Sequence, residues 1–526
     1  MGLIAKPFGY PSDTLRMPFG LLQDKPAGAK PSPGHTPAAT PSAAPAILNL
    51  ASNGFLVYHR SAMFDRRAFY DQRAALRVRE TSRCYQQLLR KQYAFWVPPG
   101  LRVLEVGCGL GDLLAAVKPA RGVGVDFSPA MIALARERHQ ELEFHAADAA
   151  EVSAAEPFDY ILLADLVNDL PDVQAVFERL QAVAHPRTRL VVSFFNNIWR
   201  PVLNVAAKLG LKSPTLPQNW LSADDVKNLL HLAGWEVIKT EARILWPART
   251  PLWGWFCNRW LAPLLPAFCF TVGVVARPRP RPERALPLLC SVIIPARNES
   301  GNIEEAVRRT PEMGQGTEII FIEGHSTDDT WDEIQRVAAK YPQRTIKILK
   351  QRSRGKGGAV REAFAAATGE LLFILDADLT MPPEELPKFY EAARSGTAEF
   401  VNGVRLVYPM EEQAMQFLNM VANKAFGLTF SWLLGQNIKD TLCGTKVLFR
   451  ADYEAIARNR AYFGDFDPFG DFDLLFGAAK LNLRMVDLPI RYRARTYGQT
   501  NIHRWSHGWL LLRMVLFAAR RLKFIP

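Results

Sequence analysis

The stretch VARPRPRPERALPLLCSVIIPARNES (residues 275–300) determines how this chain is divided. An apolar run that ends at Ala276 is followed by alternating arginine and proline, and a second apolar run begins at Leu288. Short apolar runs bounded by such breakers are typical of buried strands. The stretch therefore predicts the last strand of one domain, a stiff Arg-Pro linker over 277–287, and the first strand of a second domain.

Length and composition set the broad class. The chain has 526 residues, which is too many for one hydrophobic core. Its formal net charge of +12 suits an anionic membrane, nucleic acid or a phosphorylated substrate, and does not choose among them. The 6 cysteines are scattered without a CxxC pair, so we expect reduced thiols rather than a disulfide framework or a zinc site.

The remaining segments complete the predicted organisation. Residues 1–46 are rich in proline, alanine, serine and glycine, which predicts a disordered tail. The first domain then covers 47–276, the second covers 288–503, and a basic amphipathic helix covers 504–526. We see no signal peptide and no uninterrupted apolar stretch of membrane-spanning length. The most apolar candidate, 260–276, is predicted to be an ordinary domain edge.

Both domains alternate short apolar runs with helical stretches, which predicts an α/β fold with a doubly wound parallel sheet in each. The strands predicted in the first domain are 101–107, 121–127, 142–149, 158–166 and 189–195. Those predicted in the second are 290–296, 318–324 and 371–379, with a further one near 345.

The segment LEVGCGLGD (104–112) places three glycines between a strand and a helix. Glycine at such a turn lets the backbone approach a ligand and adopt positive φ. A dinucleotide fingerprint would need glycine at position 112, where this chain has aspartate. The spacing therefore favours a ligand other than a dinucleotide.

Acidic residues follow three successive strands of the first domain. Glu105 precedes the glycines, Asp126 ends the second strand, and Asp148 follows the third. A carboxylate ahead of the glycines would repel a pyrophosphate and attract a cationic amino-acid group. A carboxylate at the end of the second strand can accept hydrogen bonds from both ribose hydroxyls.

With these motifs, residues 60–276 resemble a class I S-adenosylmethionine-dependent methyltransferase, whose fold is Rossmann-like. The resemblance implies that S-adenosylmethionine is held by Glu105, Gly107, Gly109, Gly111, Asp126, Phe127, Asp148, Ala149 and Asp165, the last on the side where such enzymes meet substrate. The methyl acceptor cannot be read from the sequence. Asn168, Asp169 and Asn196 lie in loops at strand ends, and we expect caps or turns there rather than substrate contacts.

The second domain presents a different set of charges. LLFILDADLTMPP (371–383) is a buried strand that ends in Asp376 and Asp378. Alternate residues of a strand share a face, so the two carboxylates project together and suit a hard divalent cation such as Mg²⁺ or Mn²⁺. Lys356 and its neighbouring glycines begin a helix, as expected for a diphosphate contact.

Residues 289–510 resemble glycosyltransferase family 2, of the GT-A type, in the branch of polyprenyl-phosphate (dolichol-phosphate) sugar synthases. The resemblance implies nucleotide-sugar contacts from Pro295, Ala296, Arg297, Glu299, Glu323, Ser326 and Lys356, a metal site at Asp376 and Asp378, catalytic roles for Asp378 and Asp473, and acceptor contacts from Arg495, Gly498 and Thr500. It also places DTLCGTKVLFR (440–450) near the sugar and acceptor.

Two departures from the family pattern affect these expectations. The turn usually read as DDGS is EGHS here, with Gly324 and His325 in unusual positions, so the base of the nucleotide is open. The late motif ends in Asn501 instead of lysine. The acceptor is also open, because a phosphate needs no strong base whereas a hydroxyl would need Asp473 as general base.

The basic C-terminal helix either packs on the domain or lies on an anionic membrane, and we favour the membrane because a polyprenyl acceptor is met there. We therefore expect a bifunctional enzyme, cytoplasmic and peripheral on the inner membrane face, that glycosylates a lipid phosphate and methylates within the same glycan pathway. Two alternatives are glycosyl transfer to a hydroxyl and a first domain that only scaffolds or regulates. Nucleic-acid binding would leave the paired aspartates unexplained.

Overall fold

The computed structural model describes residues 66–80, 84–209, 216–282, 286–405, 407, 417–462, 470–493, 495, 497 and 504–525. The chain from Met63 to Pro526 is one compact unit that contains two seven-stranded sheets. The disordered tail predicted for 1–46 lies outside the described residues.

The first sheet has the strand order β3-β2-β1-β4-β5-β7-β6. Its strands are β1 (Arg102–Val106), β2 (Arg121–Asp126), β3 (Glu143–Ala146), β4 (Phe158–Ala164), β5 (Ala184–Phe195), β6 (Trp235–Ile244) and β7 (Thr271–Pro278). The first five pair in parallel, whereas β7 runs antiparallel to β5 and β6. The sheet is therefore mixed rather than wholly parallel, and β6 was not predicted.

Helices cover both faces of this sheet and bury its apolar strands in two clusters, as a doubly wound fold requires. They are α1 (Arg66–Glu80), α2 (Cys84–Trp96), α3 (Asp112–Ala116), α4 (Pro129–Arg138), α5 (Val173–Leu180), α6 (Arg200–Lys208), α7 (Ala223–Leu232) and α8 (Pro251–Phe256).

The second sheet has the order β10-β9-β8-β11-β13-β12-β14. Its strands are β8 (Leu289–Ala296), β9 (Gly316–Glu323), β10 (Thr345–Lys350), β11 (Leu371–Ile374), β12 (Phe400–Val404), β13 (Lys446–Phe449) and β14 (Met485–Pro489). Strand β13 is antiparallel to β11 and β12, so this sheet is also mixed. The strands β12, β13 and β14 were not predicted.

Helices on the second sheet enclose two further apolar clusters. They are α9 (Ile303–Arg309), α10 (Thr330–Lys340), α11 (Gly355–Ala366), α12 (Leu386–Arg394), α13 (Phe417–Leu434), α14 (Arg450–Arg458), α15 (Asp471–Lys480) and α16 (Arg504–Leu522). Within the described helices, none is both long enough and apolar enough to cross a bilayer.

The C-terminal helix α16 buries its apolar stripe in the second domain. Leu511, Met514 and Ala518 are among its side chains that join the core cluster, at the spacing of one helix face. The packing leaves Trp509, Leu512 and Leu516 exposed together with Arg513, Arg520 and Arg521, so the predicted membrane contact through this helix stays a prediction.

The two domains contact each other directly instead of being held apart by a spacer. Arg189 on β5 donates to both carboxylate oxygens of Glu399, at 2.8 and 2.7 Å, and the two side chains are 4 % and 7 % exposed. Asn482 donates to the carbonyl of Trp96 at 2.8 Å. The first two residues of the predicted linker are in fact the end of β7. Of these, Arg277 is buried and donates to the carbonyl of Gly396 at 2.7 Å.

Candidate active sites

The glycine loop after β1 contains two kinds of glycine. Gly107, Gly109 and Gly111 all have positive φ, at 74°, 53° and 74°. A side chain at Gly107 would collide with Leu166, and one at Gly111 would collide with Phe144. These two glycines therefore let Leu166 and Phe144 pack against the backbone of the loop. A side chain at Gly109 would meet nothing within 4 Å. The loop is therefore open at its middle glycine, where a ligand can approach the backbone.

Glu105 lies at the carboxyl end of β1 with its side chain buried. The residue is 2 % exposed, and its Oε2 atom has no hydrogen-bond partner among the described residues. Burial raises the pKa of Glu105 well above its usual range, and the negative charges of Asp126 and Asp112 add to this. A buried carboxylate that has an oxygen without a hydrogen-bond partner can bind a cationic hydrogen-bond donor.

The carboxylate of Asp126 at the end of β2 fixes the glycine loop. It accepts hydrogen bonds from the backbone N–H of Gly109 and of Ser128, both at 2.9 Å. Asp148 is exposed and caps the short helical turn after β3 by accepting from the N–H of Ala150 at 2.9 Å. Both acids thus lie at the strand ends where the sequence predicts them.

Asp165 follows β4 in a left-handed conformation, with φ 57°. Its carboxylate accepts from the hydroxyl of Tyr85 at 2.7 Å and from that of Ser193 at 3.0 Å. Burial and the charge of Asp165 raise the pKa of Tyr85 well above its usual value. Tyr85 packs against Phe195 and Phe270, so this polar pair lies beside an aromatic cluster.

Helix α1 places two residues that the sequence did not single out in contact with the loops of the predicted site. Asp71 accepts a hydrogen bond from the hydroxyl of Ser128, and Tyr70 packs edge-on against Phe127 with ring centroids 5.5 Å apart. Tyr70 also donates to Asp169 at 2.7 Å. Neither Tyr70 nor Asp71 belongs to a strand-end motif, and only their position in a helix ahead of the sheet could have pointed to them.

The other loop residues of this domain have structural partners. The amide of Asn168 donates to the carbonyl of Asn219 at 2.9 Å. Asn196 caps a short helical turn by accepting from the N–H of Ile198 at 3.3 Å. Asn196 is therefore a cap, as the sequence predicts, whereas Asn168 ties its short helical turn to a loop 51 residues away.

In the second domain, Asp376 follows β11 and is paired with Lys356 at the start of α11. Lys356 Nζ and Asp376 Oδ1 are 2.5 Å apart, and both side chains remain about a third exposed, at 29 % and 34 %. Desolvation raises the pKa of Asp376, but Lys356 and the buried Lys446 more than offset this and hold it below the usual value.

Gly444 brings DTLCGTKVLFR against this ion pair. A side chain built at Gly444 would lie 2.1 Å from Asp376 Oδ2 and 2.6 Å from Lys356 Nζ. Any residue larger than glycine would therefore disturb the pair. The segment therefore lies beside the Lys356–Asp376 pair, and its expected contacts with sugar and acceptor stay predictions.

Asp378 is paired with the second cation of the site. Arg495 donates to Asp378 Oδ2 at 2.6 Å and to Glu299 Oε1 at 3.0 Å. Burial raises the pKa of Glu299, and Arg495 opposes the shift. Arg495, predicted to contact the acceptor, thus joins two residues predicted to contact metal and nucleotide.

The loops after β8 and β9 are tied together by a residue that the sequence did not single out. The N–H of Asn298 donates to Ser326 Oγ at 3.1 Å, and its side chain accepts from the N–H of Thr327 at 2.8 Å. Glu323 accepts from the N–H of Ser326 at 2.5 Å. The unusual His325 has φ 58° and contacts the carbonyl of Ser353 at 3.1 Å.

The remaining predicted nucleotide residues surround this loop. Pro295 and Ala296 end β8, with Ala296 buried, and Arg297 is exposed directly after them. Their backbone position is therefore at the carboxyl edge of the sheet, although no contact between Arg297 and the acidic groups is seen among the described residues.

The surroundings of Asp473 differ from those of a general base that is open to solvent. It lies in the first turn of α15, 6 % exposed, and accepts a hydrogen bond from Arg460 Nε at 2.8 Å. Gly470, which caps this helix, lies against Gly357 beside Lys356. Gly498 and Thr500 lie outside the described residues, so their predicted acceptor contacts stay predictions.

Taken together, these two sites belong to two transferase folds on one chain, each with its charged groups at the carboxyl edge of its sheet. Residues 98–234 match the family described as a methyltransferase domain, and residues 291–463 match glycosyl transferase family 2. The chain thus contains a methyltransferase domain and a family 2 glycosyltransferase domain, and both resemblances are confirmed.

Curated relatives match the chain over part of its length. A dolichol-phosphate mannosyltransferase of Pyrococcus furiosus is 32 % identical over 217 residues, which are 40 % of this chain and 58 % of the relative. An undecaprenyl-phosphate 4-deoxy-4-formamido-L-arabinose transferase of Edwardsiella ictaluri is 26 % identical over 214 residues, 40 % of this chain and 62 % of that protein. The chain therefore spans about three-fifths of the length of these relatives.

Solved structures also match. A putative methyltransferase complexed with the Trm112 activator of Haloferax volcanii has 18 % identity and a TM-score of 0.32, over 40 % of this chain and 97 % of that chain.

Proposed function

We propose that the chain is a bifunctional enzyme whose second domain transfers a sugar from a nucleotide sugar to a polyprenyl phosphate, and whose first domain uses S-adenosylmethionine to methylate within the same glycan pathway. The observation that carries the glycosyl transfer is the cluster of Asp376, Asp378, Lys356 and Arg495, which offers both anionic and cationic groups at one strand end. The polyprenyl-phosphate transferases among its relatives support this acceptor class.

The cluster suits a divalent cation and a diphosphate bound together. Among the described residues no group of three or more His, Cys, Asp or Glu could hold a metal unaided. Two carboxylates with diphosphate oxygens form the hard oxygen donor set that Mg²⁺ prefers, and Asp376 and Asp378 would hold it. The bound cation would neutralise charge on the departing nucleoside diphosphate.

The two basic side chains, Lys356 and Arg495, would bind the diphosphate. With the diphosphate present, Lys356 and Arg495 can exchange their carboxylate partners for phosphate oxygens, since both are partly exposed and already lie at the site. The acceptor oxygen then attacks the anomeric carbon as the bond to the diphosphate breaks, with inversion. The positive side chains stabilise the charge that develops on the leaving group.

The environment of Asp473 supports a phosphate acceptor over a hydroxyl. Its carboxylate is 6 % exposed and accepts a hydrogen bond from Arg460 Nε at 2.8 Å, so it is engaged in an ion pair rather than open to an acceptor hydroxyl. A phosphate monoester is largely dianionic near pH 7 because its second pKa is about 6, so it needs no strong base. Asp473 would then orient the site rather than deprotonate the acceptor.

The first domain has the two features that S-adenosylmethionine needs. The orphaned buried Oε2 of Glu105 would accept from the cofactor's ammonium group, and the open face of Gly109 admits its methionine part. Asp126 with Phe127 and Asp148 with Ala149 would hold ribose and adenine. The bound cofactor supplies an electrophilic methyl group. Tyr85 and Asp165 border the acceptor side and would orient the acceptor there.

The two activities are tested separately with the full chain. Purified protein with Mg²⁺, a panel of nucleotide sugars and undecaprenyl phosphate should yield a lipid-linked sugar phosphate in mass spectrometry. Product formed only on soluble hydroxyl acceptors would overturn the lipid proposal. Calorimetric titration with S-adenosylmethionine, alongside a methyl-transfer assay on the glycosylated product, tests the first domain. Cofactor binding without turnover would mean that this domain scaffolds or regulates.

A further inference from the structure

Among the described residues, exposed apolar side chains concentrate on the methyltransferase domain. Of the twenty exposed large hydrophobic side chains in the described part of the chain, twelve lie in the segments 197–209 and 251–268. Leu252 is 85 % exposed, and Trp253 and Trp255 are 55 % and 53 % exposed. We call the exposed side chains of these two segments the tryptophan face. Such a concentration marks an interaction surface, because soluble proteins rarely expose apolar side chains in one patch.

The two segments are joined to each other where the second one ends. Trp199 Nε1 donates to the carbonyl of Phe268 at 2.9 Å, and the amide of Asn196 donates to the carbonyls of Ala267 and Cys269 at 2.9 and 3.0 Å. Both segments leave the sheet at the same edge, one after β5 and the other before β7.

The charge of the face indicates its partner. No Asp or Glu occurs in 197–209 or in 249–268, whereas these stretches contain Arg200, Lys208, Arg249 and Arg259, the first three of them exposed. Arg259 lies 5.7 Å from the ring centroids of both Trp255 and Trp260. Exposed tryptophan beside arginine, without carboxylates, complements the headgroup layer of an anionic bilayer, where tryptophan and basic residues concentrate.

We propose that the tryptophan face docks the methyltransferase domain onto an anionic membrane surface. This inference goes beyond the proposed reactions and does not depend on them. It assigns the lipid contact to 197–209 and 251–268 rather than to α16, whose apolar stripe is already buried.

The position of the face gives docking a consequence for the methyltransferase site. Trp199 packs edge-on against Phe270, with centroids 5.5 Å apart, and Phe270 packs against Tyr85, which donates to Asp165. The face is thus joined through aromatic contacts to the acceptor side of the site. Docking would turn that side toward lipid, so a methyl acceptor carried in the membrane can reach it without crossing bulk water.

Vesicle co-sedimentation of the full chain tests the proposal, using phosphatidylcholine alone and phosphatidylcholine with about 30 mol % phosphatidylglycerol, an anionic lipid. We expect binding to the anionic vesicles that weakens with salt. The double variant W253S/W255S should bind at least tenfold more weakly. Arg249→Gln should weaken binding about fivefold, since one basic residue near an anionic surface contributes about 1 kcal/mol.

The matched control is L512S/L516S on the exposed side of α16, which should bind as the unmodified chain does. Leu252→Ser is a second test variant, and thermal melts verify that each variant is folded. Three results overturn the proposal: no binding of the unmodified chain to anionic vesicles, loss of binding in the α16 control while W253S/W255S binds normally, or a solution dimer that W253S/W255S dissociates in light scattering, which would make the face a subunit interface.

Discussion

The methyltransferase and glycosyltransferase sites place their carboxylates in opposite electrostatic settings. Glu105 is buried, and among the described residues no cation is paired with it. Asp376 and Asp378 are partly exposed, and each is paired with a cation of its own, Lys356 or Arg495. An anion left alone in a low-dielectric site binds a cation, whereas a neutralised cluster can exchange its cations with an arriving anion. The difference therefore predicts the charge of the ligand at each site.

The largest expected effect is a loss of stability at the interface between the two domains. Glu399→Gln leaves Arg189 buried without its full counter-charge, and breaking a buried ion pair costs about 3–5 kcal/mol. We expect that loss in urea unfolding, with both domains unfolding in one transition. The control Glu391→Gln, in an exposed pair with Arg394, should cost less than about 1 kcal/mol. Two separate transitions in the unmodified chain would show that the domains are independent.

The next effect separates the two sites. Asp378→Asn removes the charge that faces Arg495 and should lower the glycosyl-transfer rate by about 10²–10³-fold, the usual cost of losing one preorganised charge contact. S-adenosylmethionine affinity should not change. Asp332→Asn, an exposed acid on α10, is the matched control. A variant that keeps more than a tenth of the activity would remove Asp378 from the catalytic machinery.

A third effect is a pH dependence at the domain interface. Burial raises the pKa of Asp452 to about 6 although Arg187 opposes the shift. Between about pH 4 and 6 the folded chain holds a proton that the unfolded chain releases, so this group's contribution to stability falls as pH rises through that window, by up to about 3 kcal/mol. The unmodified chain should therefore lose stability relative to Asp452→Asn from pH 4 to 6. Plots of unfolding free energy against pH that run parallel for the two proteins would contradict the prediction.

How much of each site could be predicted depends on how local its residues are in the sequence. The glycine loop and the paired aspartates were predictable because a strand, a turn and a helix start specify them within about ten residues. Tyr70, Tyr85 and Asn298 were not, because their partners lie 99, 80 and 28 or more residues away. The exposure of the apolar residues within 260–268 could not be predicted, since such residues look like core until their exposure is known.

The smallest expected effect is a loss of cofactor affinity when the carboxylate of Glu105 is removed. Glu105→Gln should weaken S-adenosylmethionine binding about 10–100-fold, because a hydrogen bond to a charged group contributes about 1.5–3 kcal/mol, while glycosyl transfer is unchanged. Glu143→Gln, in an exposed pair with Arg121, is the control. Since burial raises the pKa of Glu105, affinity in the unmodified chain should fall as pH is lowered and the carboxyl takes up its proton. Calorimetry should show a flat pH profile for Glu105→Gln, and equal pH profiles in both proteins would mean that the cofactor's ammonium group is held elsewhere.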